Sequence, residues 1–173
     1  MKRINKENEA SVKGFIKLFF ILCLVTIVLF FRAFIIDRVI VSGDSMNETF
    51  FDGDVCWVKK FGNESVGRFD VVIANMDGKT VIKRVIGLPG ENIYVKDCHV
   101  YIDGALIDEA YDFFTDDGGV ANKIYPIPEG EYFLMGDNRQ QSFDSRDVGS
   151  VSLDQIKGVV VFRLYPFTRM NWF

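Results

Sequence analysis

Hydrophobic and polar positions change rhythm once along this chain. The run LFFILCLVTIVLFF between Lys17 and Arg32 carries no charge, and Phe15, Ile16, Ala33, Phe34, Ile35 and Ile36 extend its apolar character on both sides. The run alone falls short of the ~20 residues that span hydrocarbon, but flanking Lys and Arg side chains can snorkel and let their neighbours contribute. The pattern predicts a membrane helix over residues 15–36. A cleaved secretory signal shares the basic start and the short apolar run, but no small-x-small cleavage motif follows Phe31, and the chain continues FRAFIIDRVIV. Beyond this point the helical period disappears. Short apolar stretches follow, VCWV, FDVVIAN, TVIKRVIGL, NIYV, HVYIDG, EYFLMG and KGVVVFRLYPF, separated by Asp52-Gly53, Asp77-Gly78, Pro89-Gly90, Asp103-Gly104 and Glu129-Gly130. Such stretches between turn signals read as strands. The expected fold is mainly β: antiparallel sheets folded on one another behind one N-terminal transmembrane helix. Residues 110–122, AYDFFTDDGGVAN, are polar and Gly-rich and predict a long surface loop.

Charge gives this outline a direction. Lys2, Arg3, Lys6, Lys13 and Lys17 precede the apolar run, against Glu7 and Glu9. The positive-inside rule keeps that end in the cytosol. The expected organisation is a cytosolic basic tail (1–14), a single-pass anchor (15–36) and an extracytoplasmic β domain (37–173) in the cell membrane. The 173 residues are 49% hydrophobic with 17 Phe, more than one small soluble domain needs. A formal net charge of −4 offers no basic surface, so nucleic acid is excluded as a partner. Cys23 falls in the membrane run, and Cys56 and Cys98 sit in apolar runs without Cys-x-x-Cys or Cys/His spacing, where buried free thiols are the commoner outcome.

Candidate chemistry is narrowed by the single histidine, His99, placed in the alternating run KDCHVYIDG and expected to face solvent. Mechanisms of the Ser-His-Asp kind and zinc sites both lose support. Three segments remain. In VIVSGDSMNETFFDGD, Ser45 follows a Gly43-Asp44 turn where backbone N–H groups can face a bound carbonyl, although most serines in such turns only form the turn. In TVIKRVIGLPGE, Lys83 and Arg84 interrupt an apolar strand; neighbours on a strand point to opposite faces, so one of them points inward. Burial would lower the pKa of Lys83 toward neutrality, as a general base requires, whereas an edge position would leave it exposed. In GDNRQQSFDSRDVG, Asp137, Asn138, Arg139, Ser142, Asp144, Ser145, Arg146 and Asp147 form one polar loop. It reads either as a solvated loop with internal ion pairs or as a shell that orients a neutral amine. Its interleaved arginines argue against metal ligation, and no metal or cofactor is expected.

In this order behind an N-terminal membrane helix, the three segments resemble the type I signal peptidases, the serine-lysine family that removes signal peptides. The resemblance covers nearly the whole chain. Its motifs are Ser45-Met46 with Thr49, Gly53-Asp54, Lys83-Arg84-Val85-Ile86-Gly87-Leu88-Pro89-Gly90, and Gly136-Asp137-Asn138-Arg139 followed by Ser142, Asp144-Ser145-Arg146 and Gly149, with a weaker match at VYIDGALIDEAY. It implies that Ser45 is the nucleophile, that neutral Lys83 takes its proton, and that Ser142 hydrogen-bonds and orients Lys83. The Ser45 backbone N–H would donate to the oxyanion; Gly43 stands where some relatives add a hydroxyl, so the hole rests on fewer donors. Arg84 with Asp137 and Asp144 with Arg146 are expected as supporting ion pairs. The implied substrates are signal-peptide-bearing preproteins in extended form, with small residues at the first and third positions before the cut. Val39, Val41, Phe50, Val81 and Ile82 would line the pockets.

One departure stands in the first motif. The family's Ser-Met-x-Pro-Thr is here Ser45-Met46-Asn47-Glu48-Thr49. Glu48 is expected to loosen the turn and, as a nearby negative charge, to raise the pKa of Lys83. Beside the membrane-anchored serine endopeptidase stands an alternative, a non-catalytic or pilus-dedicated assembly factor with pilus subunits as partners. A scaffold has no reason to keep both Ser45 and Lys83, which favours the enzyme and leaves room for a narrow substrate set. A soluble self-cleaving repressor fails on the membrane helix, and the histidine-based signal peptidases fit less well because Lys83 occupies the base position.

Overall fold

The computed structural model of the chain describes residues 2–34, 36–60, 66–109, 114–115 and 117–173. It divides after Asp37 into two units. The first is the helix α1, Lys2–Phe34. Its window Val12–Leu29 has a mean hydropathy of 2.4; at ~1.5 Å per residue those 18 residues reach about 27 Å, close to the thickness of a bilayer's hydrocarbon. The helix begins well before this window, because the Lys-, Glu- and Ala-containing segment ahead of it consists largely of good helix formers.

The second unit is built from antiparallel strands. They are β1 (Ile36–Ile40), β2 (Val55–Lys60), β3 (Val71–Met76), β4 (Lys79–Gly87), β5 (Asn92–Lys96), β6 (His99–Ile102), β7 (Ala105–Leu106), β8 (Tyr125–Pro126), β9 (Glu131–Met135), β10 (Val151–Ser152), β11 (Ile156–Tyr165) and β12 (Asn171–Trp172). Among the described residues an eight-stranded sheet runs β1-β2-β11-β3-β4-β9-β10, with β12 on β11. A four-stranded sheet runs β7-β6-β5-β8. The mainly β, antiparallel expectation therefore holds, and nearly every predicted apolar stretch is a strand.

Strand β9 ties the layers together. In β9, Tyr132 and Leu134 join one buried cluster with Val72, Ala74 and Val85, while Phe133 and Met135 join another with Ile93, Val100 and Ile102 of the small sheet. A strand covered on both faces loses the polar alternation that marks a half-exposed one, which is why EYFLM reads as a continuous apolar run. In β5 and β6 the alternation survives, with Ile93, Val95, Val100 and Ile102 inward. A third cluster packs Val41, Met46 and Phe50 against Cys56, Val58, Ile73, Ile82 and Val160, so the segment after β1 is anchored in the core.

The loop predicted at 110–122 is only partly confirmed as surface. Residues 110–113 and 116 lie outside the described residues; of the rest, Thr115 and Ala121 are fully buried and Gly119–Asn122 form a 3-10 turn. His99 is exposed, as expected, with Nδ1 at 2.5 Å from the Asp97 carbonyl. All three cysteines are free thiols. Burial, with the Asp54 charge adding to it, pushes the Cys56 thiol up to about 11.

Candidate active site

Three sequence-distant segments meet at one point. The loop after β1 turns tightly: the Asn47 N–H donates to the Asp44 carbonyl, and the Thr49 and Phe50 N–H groups both donate to the Met46 carbonyl at 3.1 and 2.8 Å. This winding, with the apolar Met46 and Phe50 side chains sunk in the core, leaves Ser45 at the surface of the turn. Opposite it stands Lys83 of β4, 2% exposed, with Nζ 2.6 Å from Ser45 Oγ. Arg84, on the next position of the strand, goes elsewhere. Its guanidinium donates twice to Asp137, at 2.8 and 2.6 Å, and once to the Phe69 carbonyl. The divergence of neighbouring strand residues thus separates the amine from the guanidinium, and Lys83 is the inward one.

The third segment closes the site from behind. Asp144 caps the short helix α2 (Ser145–Val148) and takes both Arg146 Nε and Nη2 at 2.9 Å. The oxygen that takes Nη2, Oδ2, also accepts the Gly136 N–H at 2.9 Å. Burial works to raise the Asp144 carboxyl, but the bonds and charge of Arg146 outweigh it and hold the group below the usual carboxylate range. Asn138 ties this segment to the nucleophile loop: its N–H donates to the Ser45 carbonyl at 3.1 Å and its side-chain amide to the Asp44 carbonyl at 3.0 Å.

Burial moves Lys83 toward its neutral form. Removal of Lys83 from water lowers its pKa from 10.5 to about 8, with Asp144 and Asp137 opposing the shift and Arg146 assisting it. Glu48 does not contribute to this shift. It is exposed and sits at φ +83°, a conformation no proline can adopt. Glu48 is therefore accommodated by a left-handed turn, and the expectation of a raised lysine pKa is corrected.

Two further placements differ from expectation. The Ser142 hydroxyl, buried, makes no hydrogen bond of normal geometry and so none to Lys83; its weaker interaction is with the Asp144 carboxyl, which it helps hold ionised. Phe50 is fully buried, stacks at 4.5 Å on Phe173 and is not part of the cleft wall, because helical winding of the turn aims it into the core. Val39, Val41, Val81 and Ile82 do line a cleft of about 180 Å³ together with Ser45 and Lys83. Gly43, at φ +87°, uses its N–H on Asp52 at 2.9 Å, so it has no donor left for an oxyanion. The Ser45 N–H has no hydrogen-bond acceptor among the described residues.

The cleft has an architectural cause. β9 pairs with β4 only from Arg84 onward, leaving the Lys79–Lys83 stretch of β4 paired on one side alone, with β3. β1 is the terminal strand at the other end of the sheet path. Two strand edges thus flank the groove that leads to Ser45.

Sequence reading missed the support beneath the loop. Arg163 of β11 donates to the Thr49 carbonyl and to Asp54. Asp54 also takes Arg169 at 2.8 Å and the Phe51 N–H at 3.1 Å. Arg163 interrupts the apolar run KGVVVFRLYPF just as Lys83 interrupts its own, so the same signal was present. Arg139, buried and paired with Glu109 and Thr115, was likewise hidden among the charges of its loop.

A buried lysine thus stands against a turn serine at the end of a groove, and comparison with known proteins names the family. The family model described as signal peptidase, peptidase S26, matches residues 12–165. Signal peptidase I S of Bacillus subtilis (strain 168) is 34% identical, covering 99% of this chain and 98% of its own. Signal peptidase I of Bacillus licheniformis is 36% identical, covering 98% and 96%. A crystal structure of a signal peptidase I from Enterococcus faecalis V583 matches with 29% identity and a TM-score of 0.46, covering 57% of this chain and 98% of that one. The chain belongs to the signal peptidase family S26, a family of serine endopeptidases.

Proposed function

We propose that this protein is a membrane-anchored signal peptidase that cuts exported preproteins with a Ser45–Lys83 dyad. The observation that carries the reading is the 2.6 Å approach of Lys83 Nζ to Ser45 Oγ, with Lys83 buried at the end of the groove. Neutral Lys83 accepts the Ser45 proton as Oγ attacks the scissile carbonyl. The Ser45 N–H donates to the resulting oxyanion; with one backbone donor in place, a second has to come from elsewhere in the complex, and such a donor is worth about 3 kcal/mol. Collapse expels the new amino terminus, which takes the proton from Lys83. Water, activated by the same amine, then releases the signal peptide from the acyl-enzyme. Asp144, Arg146, Arg84 and Asp137 hold the loops and touch no reacting atom.

The substrate lies as an added strand between the edges of β1 and β4, where the small apolar walls of Val39, Val41, Val81 and Ile82 select small side chains. The basic residues at the start of α1, around the beginning of its apolar stretch, keep the N-terminus cytosolic, so the β domain faces the exported substrate. The full chain in detergent is expected to cut a preprotein after a small-x-small motif. Ser45→Ala and Lys83→Met should each lower kcat/KM by about 10³-fold or more. Activity should rise with pH through an ionisation near 8, since the base works deprotonated. Full processing by either variant, or an ionisation at the value of free lysine, sinks the assignment.

A further inference from the structure

The groove that holds Ser45 ends at the nucleophile loop, and a second cleft opens on the loop's other flank. It encloses about 270 Å³ and is lined by Asn47, Glu48, Phe114, Asp137, Asn138 and Arg139, sharing no residue with the first. Ser45 faces one cleft while Asn47 and Glu48, two and three positions on, face the other. Asn138 belongs to the second cleft and holds the Ser45 and Asp44 carbonyls. A peptide whose carbonyl lies over Ser45 Oγ and whose preceding residues fill the first groove leaves across this loop. Extended chain advances about 3.3 Å per residue, so the first few residues after the cut enter the second cleft.

Its charges do not cancel. Asp137 is taken by Arg84 in two bonds, and Arg139 is taken by Glu109. Glu48 has no ion pair among the described residues and stands exposed at the mouth, held there by its left-handed backbone. We propose that the second cleft receives the first residues of the mature protein, and that Glu48 makes it select by charge, favouring basic over neutral over acidic side chains. The inference rests on the reading that Ser45 cleaves preproteins. It makes Glu48 a specificity determinant and gives a physical origin for a restricted substrate set.

Exposed charges a few ångströms apart interact weakly enough that the discrimination is several-fold, roughly 3–10-fold between opposite signs, and shrinks in high salt. The test uses the full-length protein in detergent and one preprotein in three forms, with Lys, Gln or Asp at the second position after the cut. At low salt, kcat/KM is expected to fall in the order Lys, Gln, Asp. Glu48→Gln should flatten the series and Glu48→Lys should reverse it, while Asp154→Asn, away from the cleft, should leave the order as it is. Equal rates on the three substrates, or an order that survives Glu48→Gln, overturn the inference while leaving the signal peptidase reading in place. Failure to cut even the Gln form overturns both.

Discussion

The two sheets of the β domain solve the same packing problem with opposite electrostatics. The four-stranded sheet keeps its alternation clean: Ile93, Val95, Val100 and Ile102 point inward, and Tyr94 and Tyr101 stack outside at 4.8 Å. None of its described residues is a buried charge. The eight-stranded sheet and its loops bury Asp54, Lys83, Asp137, Arg139, Asp144, Arg146 and Arg163. All but one of these charges has an opposite partner. Lys83 is the exception, with a hydroxyl as its neighbour. Unpaired burial disfavours the ionised state, so the position that weakens the fold is the one the proposed mechanism uses to move a proton.

The comparison breaks most visibly at Lys83. With a pKa of about 8 in the folded chain against 10.5 unfolded, the unfolded state binds more protons between those values, and stability rises with pH across that window. The penalty is fully present below pH 8. At ~1.4 kcal/mol per unit it amounts to roughly 3 kcal/mol. Lys83→Met should therefore lose activity while gaining stability at pH 7, and the gain over wild type should vanish by about pH 10.5; denaturant titrations at both pH values measure it.

A paired charge should behave the other way. Asp144→Asn leaves Arg146 buried without its counter-charge and is expected to cost about 3 kcal/mol in a urea titration. Unchanged stability there would mean that the pair is solvated and the contrast between the sheets is weaker than drawn. Glu48→Pro forces φ away from +83° and should destabilise by about 1–3 kcal/mol, whereas Glu48→Gly should stabilise by less than about 1 kcal/mol. The smallest effect belongs to the small sheet. Tyr94→Ala should cost about 1 kcal/mol in thermal unfolding and leave cleavage unaltered.

Legibility in the sequence followed the same division. Strands in the small sheet and the long apolar helix announce themselves by period, because one face or one length decides them. The Lys83 position was legible as a charge inside an apolar run, and the order of the three motifs supplied its partner. What stayed hidden were interactions set by winding within a turn: Phe50 reads as a groove residue until the hydrogen bonds to the Met46 carbonyl aim it inward. That the glutamate in place of proline sits at a positive φ is likewise invisible in the sequence. Ser142 belongs to the expected neighbourhood, but the direction of its hydroxyl is a packing detail that no pattern in the chain reports.

Gly136 carries a consequence for how the site tolerates change. A methyl group there would lie 2.2 Å from Ser142 Oγ and 2.5 Å from the Ser45 carbonyl oxygen. The residue functions as a shim of zero thickness between two machined parts, so the separation of nucleophile loop and polar loop has no adjustable margin. Even alanine would act as a wedge rather than a substitution, prising the serine from its amine without altering either reactive group.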